Sequence, residues 1–194
     1  MKHLARRDYV ARPWKNGGGM TYEVAVSPEG AGLDDFAWRV SLAELRAAGA
    51  FSSWPGVSRS LLLLEGEPVR LDMEGEQVML DRRTGLLHFP GSVPVFAWPD
   101  GEAVDAGVMS RDRLCRQYSR ILQVRGSSML QRDAPEAVLL LADGESLVVA
   151  AAGTQVSLGR HDALVLGPED AFDLQLSAAS PVRVLFAQFE RIPA

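Results

Sequence analysis

The chain has 194 residues, with 20 basic and 25 acidic side chains, a net charge of −5 and 47% hydrophobic residues. That balance belongs to an ordinary globular protein with enough chain for a sizeable core, and its acidity argues against general binding along a nucleic-acid backbone, leaving room only for a local basic patch. Its apolar runs, such as residues 137–142 and 147–152, are six residues long, far short of the roughly 20 that a membrane-spanning helix needs.

No apolar stretch follows Lys2, Arg6 and Arg7, so this end does not read as a signal peptide. Cys115 is the only cysteine, which rules out an internal disulfide or a multi-cysteine zinc site and reads best as a buried, inert thiol. A cytoplasmic protein without membrane contact is expected.

Taken in chain order, strand signals dominate. Residues 21–26 alternate, with Tyr22, Val24 and Val26 opposite Thr21, Glu23 and Ala25. Residues 38–43 do the same, with Trp38, Val40 and Leu42 opposite Arg39, Ser41 and Ala43. Residues 43–48 are compatible with a helical turn, limited by Gly49 and Pro55. Further strands are expected at 60–64, 68–73, 77–80, 86–89 and 93–98. Many short strands separated by turn residues predict an all-β sandwich or barrel.

An internal repeat is the strongest structural signal. Residues 61–90 align without a gap on residues 139–168, and 12 of the 30 pairs are identical, including Gly66/Gly144, Gly75/Gly153, Gln77/Gln155 and Pro90/Pro168. Each copy reads as strand, turn, strand, Gly turn, strand, charged turn, strand and proline. The pattern resembles the RmlC-like double-stranded β-helix barrel of the cupins, duplicated as a bicupin. That resemblance implies two lobes, residues 1–110 with the pocket and residues 111–194 as scaffold. His3, His88 and His161 are far apart in sequence and lack the His-x-His signature of metal-binding cupins, so no metal and no cofactor are expected.

Three segments carry the candidate chemistry. The first is Trp14-Lys15-Asn16-Gly17-Gly18-Gly19-Met20-Thr21, which is not a phosphate-binding loop. Its lysine precedes the glycines, and the residues after them alternate like a strand. Its glycines serve a tight turn and a ligand-contacting loop equally well. The second joins Thr21 and Glu23 on one strand face with Arg39 and Ser41 on another. Inside a barrel these side chains suit a small carboxylate, with Arg39 as a fork-shaped donor and Glu23 paired to it or receiving an N–H from the ligand. The third is residues 51–59, where Phe51 and Trp54 pack at a barrel mouth and Arg59 reaches the lumen. Gly56-Val57-Ser58-Arg59-Ser60 misses the nucleophile-elbow pattern at its last position, so serine catalysis is not expected.

Together these segments resemble the HutD/Ves family. Its Trp-Lys-Asn-Gly-Gly-Gly-x-Thr-x-Glu motif is matched by Trp14 to Glu23. Its Trp-Arg-x-Ser-x-Ala strand is matched by Trp38, Arg39, Ser41 and Ala43, and its Phe-Ser-x-[Phe/Trp]-Pro-Gly segment by Phe51, Ser52, Trp54, Pro55 and Gly56, with Arg59 following. A later Asp-x-Asn-x-Met-x-Arg motif is kept at Asp105, Met109 and Arg111, with Gly107 in place of Asn. The resemblance implies a bicupin associated with histidine utilisation that binds a small pathway carboxylate such as urocanate, formate or a formylated derivative. It implies no established enzymatic activity.

The ligand-binding set is therefore Lys15, Asn16, Gly17, Gly18, Thr21, Glu23, Arg39, Ser41, Phe51, Trp54, Arg59 and Met109, with no catalytic residue assigned. The rival reading is a metal-independent isomerase or hydrolase using Glu23 or Lys15 as general base. The arginine-rich stretch from Arg111 to Arg125 reads as an amphipathic connector and not as a nucleic-acid site. The expected partners are a small anionic metabolite and, through a sheet edge, a second copy of the chain.

Overall fold

The computed structural model describes residues 1–14 and 18–193. The described residues are all-β apart from one 3-10 turn at Arg6–Asp8. Seventeen strands run along them: β1 (Lys2–Leu4), β2 (Val10–Pro13), β3 (Gly19–Ser27), β4 (Trp38–Leu45), β5 (Gly49–Ala50), β6 (Val57–Gly66), β7 (Val69–Met73), β8 (Glu76–Leu80) and β9 (Leu87–Pro90), followed by β10 (Val95–Pro99), β11 (Ala103–Arg111), β12 (Cys115–Gln131), β13 (Glu136–Asp143), β14 (Ser146–Ala151), β15 (Thr154–Gly159), β16 (Ala163–Leu166) and β17 (Asp173–Arg191).

The chain forms two compact units. One comprises Val10–Arg116 with the segment from Ile192, and the other joins Met1–Tyr9 to Gln117–Arg191. The first division falls six residues beyond the 110/111 boundary expected from sequence, and the first nine residues belong with the later unit.

In the unit around Val10–Arg116, a six-stranded antiparallel sheet ordered β2-β3-β4-β11-β6-β9 accompanies a four-stranded sheet ordered β5-β10-β7-β8. Their inward residues form one apolar cluster. Leu45, Leu61, Leu63, Phe89 and Ala103 come from the larger sheet, and Val69, Leu71, Leu80, Val95 and Ala97 from the smaller. Fully burying side chains of this kind contributes about 1.5–3 kcal/mol for each large one.

In the other unit, β1-β16-β13-β17-β14-β15 form one antiparallel sheet, and β12 also pairs with β17. Its buried apolar cluster includes Leu139, Leu141, Leu147, Val149, Leu158, Leu164, Leu166 and Phe186. Arg132 is buried at the edge of this unit. Its guanidinium donates to the carbonyls of Ala134 (3.3 Å), Pro135 (2.6 Å), Gly167 (2.8 Å), Asp170 and Ala171 (3.0 Å), and Phe172 covers it at 4.2 Å.

Positions 78 residues apart adopt the same local geometry in the two units. The β7–β8 hairpin pairs Val69 with Leu80, and β14–β15 pairs Leu147 with Leu158. Both hairpins turn on two left-handed residues, Glu74-Gly75 and Ala152-Gly153, the backbone that a two-residue antiparallel turn requires. β6 carries one extra residue, Leu64, against β11, and β13 carries Ala142 against β17. The correspondence slips at the last strand: Ser60 pairs with His88, whereas Val138 pairs with Val165, one residue short of the gapless alignment.

One expectation is corrected. Residues 43–48 form no helical turn, because β4 continues to Leu45 and places Ala43 and Leu45 in register with β3 and β11. The arginine-rich stretch, expected as an amphipathic connector, is largely strand: β12 runs from Cys115, which is buried, through Arg125.

Candidate functional site

β11 is flanked by β4 and β6, and their registers set three rows of inward side chains across the larger sheet. The first row runs Val26, Arg39, Met109, Arg59 and Phe89. The second runs Glu23, Ser41, Gly107, Leu61 and Leu87, and the third Thr21, Ala43, Asp105 and Leu63. Leu61, Leu63 and Phe89 belong to the inner cluster, which fixes these rows as the lumen face. β3 has a bulge between Glu23 and Ala25. The extra residue reverses the alternation, so Val26 joins the face of Thr21 and Glu23 instead of that of Tyr22.

The two inward arginines differ in their neighbours. Arg39 is buried and its Nη2 lies 3.3 Å from Glu23 Oε2. Burial pulls its pKa below the usual arginine value, Glu23 pushes it back up, and Arg12 lowers it further. Arg59 has no carboxylate within ion-pair distance among the described residues. Its guanidinium lies 5.3 Å from the Phe51 ring centre and 5.0 Å from that of Phe89, and it donates to the Ser52 carbonyl at 3.4 Å. Burial lowers its pKa as well, and the charge of Asp105 opposes that shift.

Asp105 is 3% exposed, and burial pushes its carboxyl up to about 7 against the lowering effect of Arg59. A guanidinium between aromatic faces, with most of its donors unused, is suited to receive a carboxylate in a bidentate fork.

The structure brings together Glu23, Arg39, Ser41, Phe51, Arg59 and Met109 of the predicted set. Thr21 shares their face, but its hydroxyl receives the Trp14 indole N–H at 2.7 Å. Gly18 offers its carbonyl to Arg46 N–H at 3.1 Å. Trp54 packs edge-to-face on Phe36, with ring centres 6.2 Å apart, and is not in these rows. Lys15, Asn16 and Gly17 lie outside the described residues. The glycine run has a steric reason at Gly19, where a Cβ would lie 2.2 Å from the Glu44 carbonyl oxygen.

Sequence reasoning left out Phe89, Asp105 and Gly107 as site residues. The signal was present in the alternation of Val104, Ala106 and Val108 against Asp105, Gly107 and Met109, which marks β11 as a strand with a polar inner face. Among the described residues, no group of three or more His, Cys, Asp or Glu is arranged to hold a metal ion. His3 contacts Asp162 at 3.0 Å and His88 contacts Ser60 at 2.8 Å.

Residues 6–184 match the HutD family. The chain belongs to that family. A curated relative, an uncharacterised 21.2 kDa protein in the hutC 3' region of Pseudomonas putida, is 34% identical over 169 residues, covering 86% of this chain and 87% of that protein. Protein Ves of Citrobacter koseri is 30% identical over 173 residues, 87% and 90% of the two chains. The solved structure of HutD from Pseudomonas fluorescens SBW25 superposes with a TM-score of 0.81 at 26% identity, covering 99% of both chains. A cupin 2 conserved barrel domain protein from Leptotrichia buccalis superposes at 0.65 with 9% identity, covering 96% of this chain and 95% of the other, which shows a cupin-type β-barrel fold.

In this HutD-family chain Arg39 and Arg59 both belong to the unit around Val10–Arg116. The position 78 residues beyond Arg59 is Ala137, fully buried in the apolar cluster of the later unit. No described helix is long and apolar enough to cross a membrane.

Proposed function

We propose that the unit around Val10–Arg116 binds a small carboxylate in its lumen, with the head group on Arg59. The asymmetry between the two arginines carries this reading. Glu23 already neutralises Arg39, whereas Arg59 faces the lumen with one long hydrogen bond to a carbonyl and two aromatic neighbours. A partly desolvated guanidinium with no carboxylate in contact binds an anion more strongly than one already in an ion pair. Ser41 and Met109 line the same face, and Phe51 and Phe89 exclude water beside the charge.

The chain is read as a bicupin in which the later unit is scaffold. The shared hairpins and bulges 78 residues apart support the duplication, and the apolar filling around Ala137 supports the division of labour. The family's name supports a link to histidine utilisation, and urocanate, formate and formylglutamate are therefore chosen as probes. Calorimetry with each should show saturable binding that Arg59→Met removes. No heat and no thermal shift with any of the three would reject the carboxylate class.

One observation favours a second reading, a metal-independent isomerase or hydrolase. Asp105 is a lumen carboxyl whose pKa burial pushes up to about 7, into the range of a general acid or base. Turnover of a histidine-pathway intermediate, lost in Asp105→Asn with binding intact, would establish it.

A further inference from the structure

We infer that Gly107 determines which carboxylates the lumen accepts, by leaving open the floor beside Arg59 for the body of a ligand larger than its head group. The inference rests on the carboxylate reading and adds the shape of the site to it.

Gly107 lies in the middle of β11, paired with Ser41 of β4 on one side and Leu61 of β6 on the other. A glycine there weakens a strand and gives it nothing to pack with, and it often marks close approach of a ligand or another backbone. The fold does not require it. A Cβ on Gly107 would meet only Ser41, at 3.6 Å from Oγ and 4.0 Å from the carbonyl oxygen, which is ordinary contact. At Gly19, by contrast, backbone occupies the Cβ position.

Gly107 is only partly buried although its strand is flanked on both sides and its position falls on the inner face. The space above it therefore admits at least a water-sized group. Leu61 and Met109 border that space with apolar surface, and the Ser41 hydroxyl stands beside it without a hydrogen bond to another described residue. Arg59 lies on the adjacent strand one row away, pairing with Met109.

A carboxylate held at Arg59 thus has room to extend over Gly107 toward Ser41. The class that fits is a carboxylate with a carbon skeleton of several atoms and a hydrogen-bonding group at its far end. Formate, which is only a head group, does not use this space.

Calorimetry on wild type, Gly107→Ala and Gly107→Val, with formate and urocanate as probes, tests this. Urocanate affinity should fall in steps with side-chain size, at least tenfold in Gly107→Val, while formate affinity stays within twofold. Equal urocanate affinity in all three proteins overturns the role of Gly107 and leaves the carboxylate reading standing. Absence of any carboxylate binding by wild type rejects the carboxylate reading and this inference with it. Thermal unfolding gives a check that needs no ligand: Gly107→Ala should keep or raise the wild-type Tm, and a fall of several degrees would show the space to be filled.

Discussion

Glu23 Oε2 lies 3.3 Å from Arg39 Nη2, so one of the two inward arginines is neutralised by a neighbouring strand. Removing one partner leaves the other charge partly buried and alone. Arg39→Met should therefore cost about 2–4 kcal/mol in urea denaturation, and Glu23→Gln combined with Arg39→Met should recover part of that loss. Arg59→Met is expected to leave stability closer to wild type and to weaken carboxylate binding more than tenfold. The reverse ranking in calorimetry, with Arg39 controlling affinity, would move the head-group site to Arg39.

Asp105 gives the protein a pH dependence of defined sign. Its carboxyl is raised from 3.8 to about 7 in the folded state, so between those values the folded chain holds a proton that the unfolded chain has lost. Stability from this group is fully present below about pH 4, declines as pH rises and is lost above about pH 7. A shift of about three units corresponds to about 4 kcal/mol. Asp105→Asn mimics the neutral acid, so denaturation midpoints should nearly coincide at about pH 3.5 and favour the variant increasingly as pH rises to 8–9. A variant that is equally destabilised at both pH values would show that Asp105 is ionised throughout.

The Trp14 indole and the Thr21 hydroxyl close the ends of the glycine-rich segment at 2.7 Å. Thr21→Val keeps the shape of the side chain and removes the acceptor, and should cost about 1 kcal/mol. Gly19→Ala should cost about 2 kcal/mol or more, because its methyl would overlap the Glu44 carbonyl. Chemical denaturation of both variants measures the difference. A neutral Gly19→Ala would mean that β3 and β4 can separate there without penalty.

Arg132 holds the carbonyls of residues 134, 135, 167, 170 and 171 in one guanidinium fork. Arg132→Met leaves those acceptors without their donor, and a loss of about 3 kcal/mol or more is expected. Arg132→Lys should recover little, because an ammonium has three donors and no planar fork. Hydrogen exchange should locate the loss in the later unit and leave the amides of β11 protected.

Much of the site was legible because period-2 alternation assigns side chains to faces from their spacing along the chain. Glu23, Arg39 and Ser41 fell together on that rule. The rule failed where the chain departs from strict pairing. The bulge after Glu23 moved Val26 to the inner face, and nothing in that stretch of apolar residues marks an extra one. β11 went unrecognised because its outward Val104, Ala106 and Val108 alternate with residues of mixed size, among them a glycine. Ala43–Leu45 resembled a helical turn because alanine and leucine favour helices, but cross-strand pairing on both sides outweighed that preference. The repeat was visible through its glycines and leucines. The one-residue slip between β9 and β16 was not, since the loops before those strands share no residue that fixes register.

The pairing of β1 with β16 has a consequence for how the chain is made. Arg6 N–H and the carboxylate of Asp162 that receives it are 156 residues apart, and His3 lies opposite Leu164 in the sheet. β1 therefore has no sheet partner until β16 has been made. Contacts of such long sequence separation slow folding, and β16 keeps an open edge until β1 arrives. A fragment beginning after residue 110 lacks that strand permanently, and its uncovered edge would invite pairing with other chains.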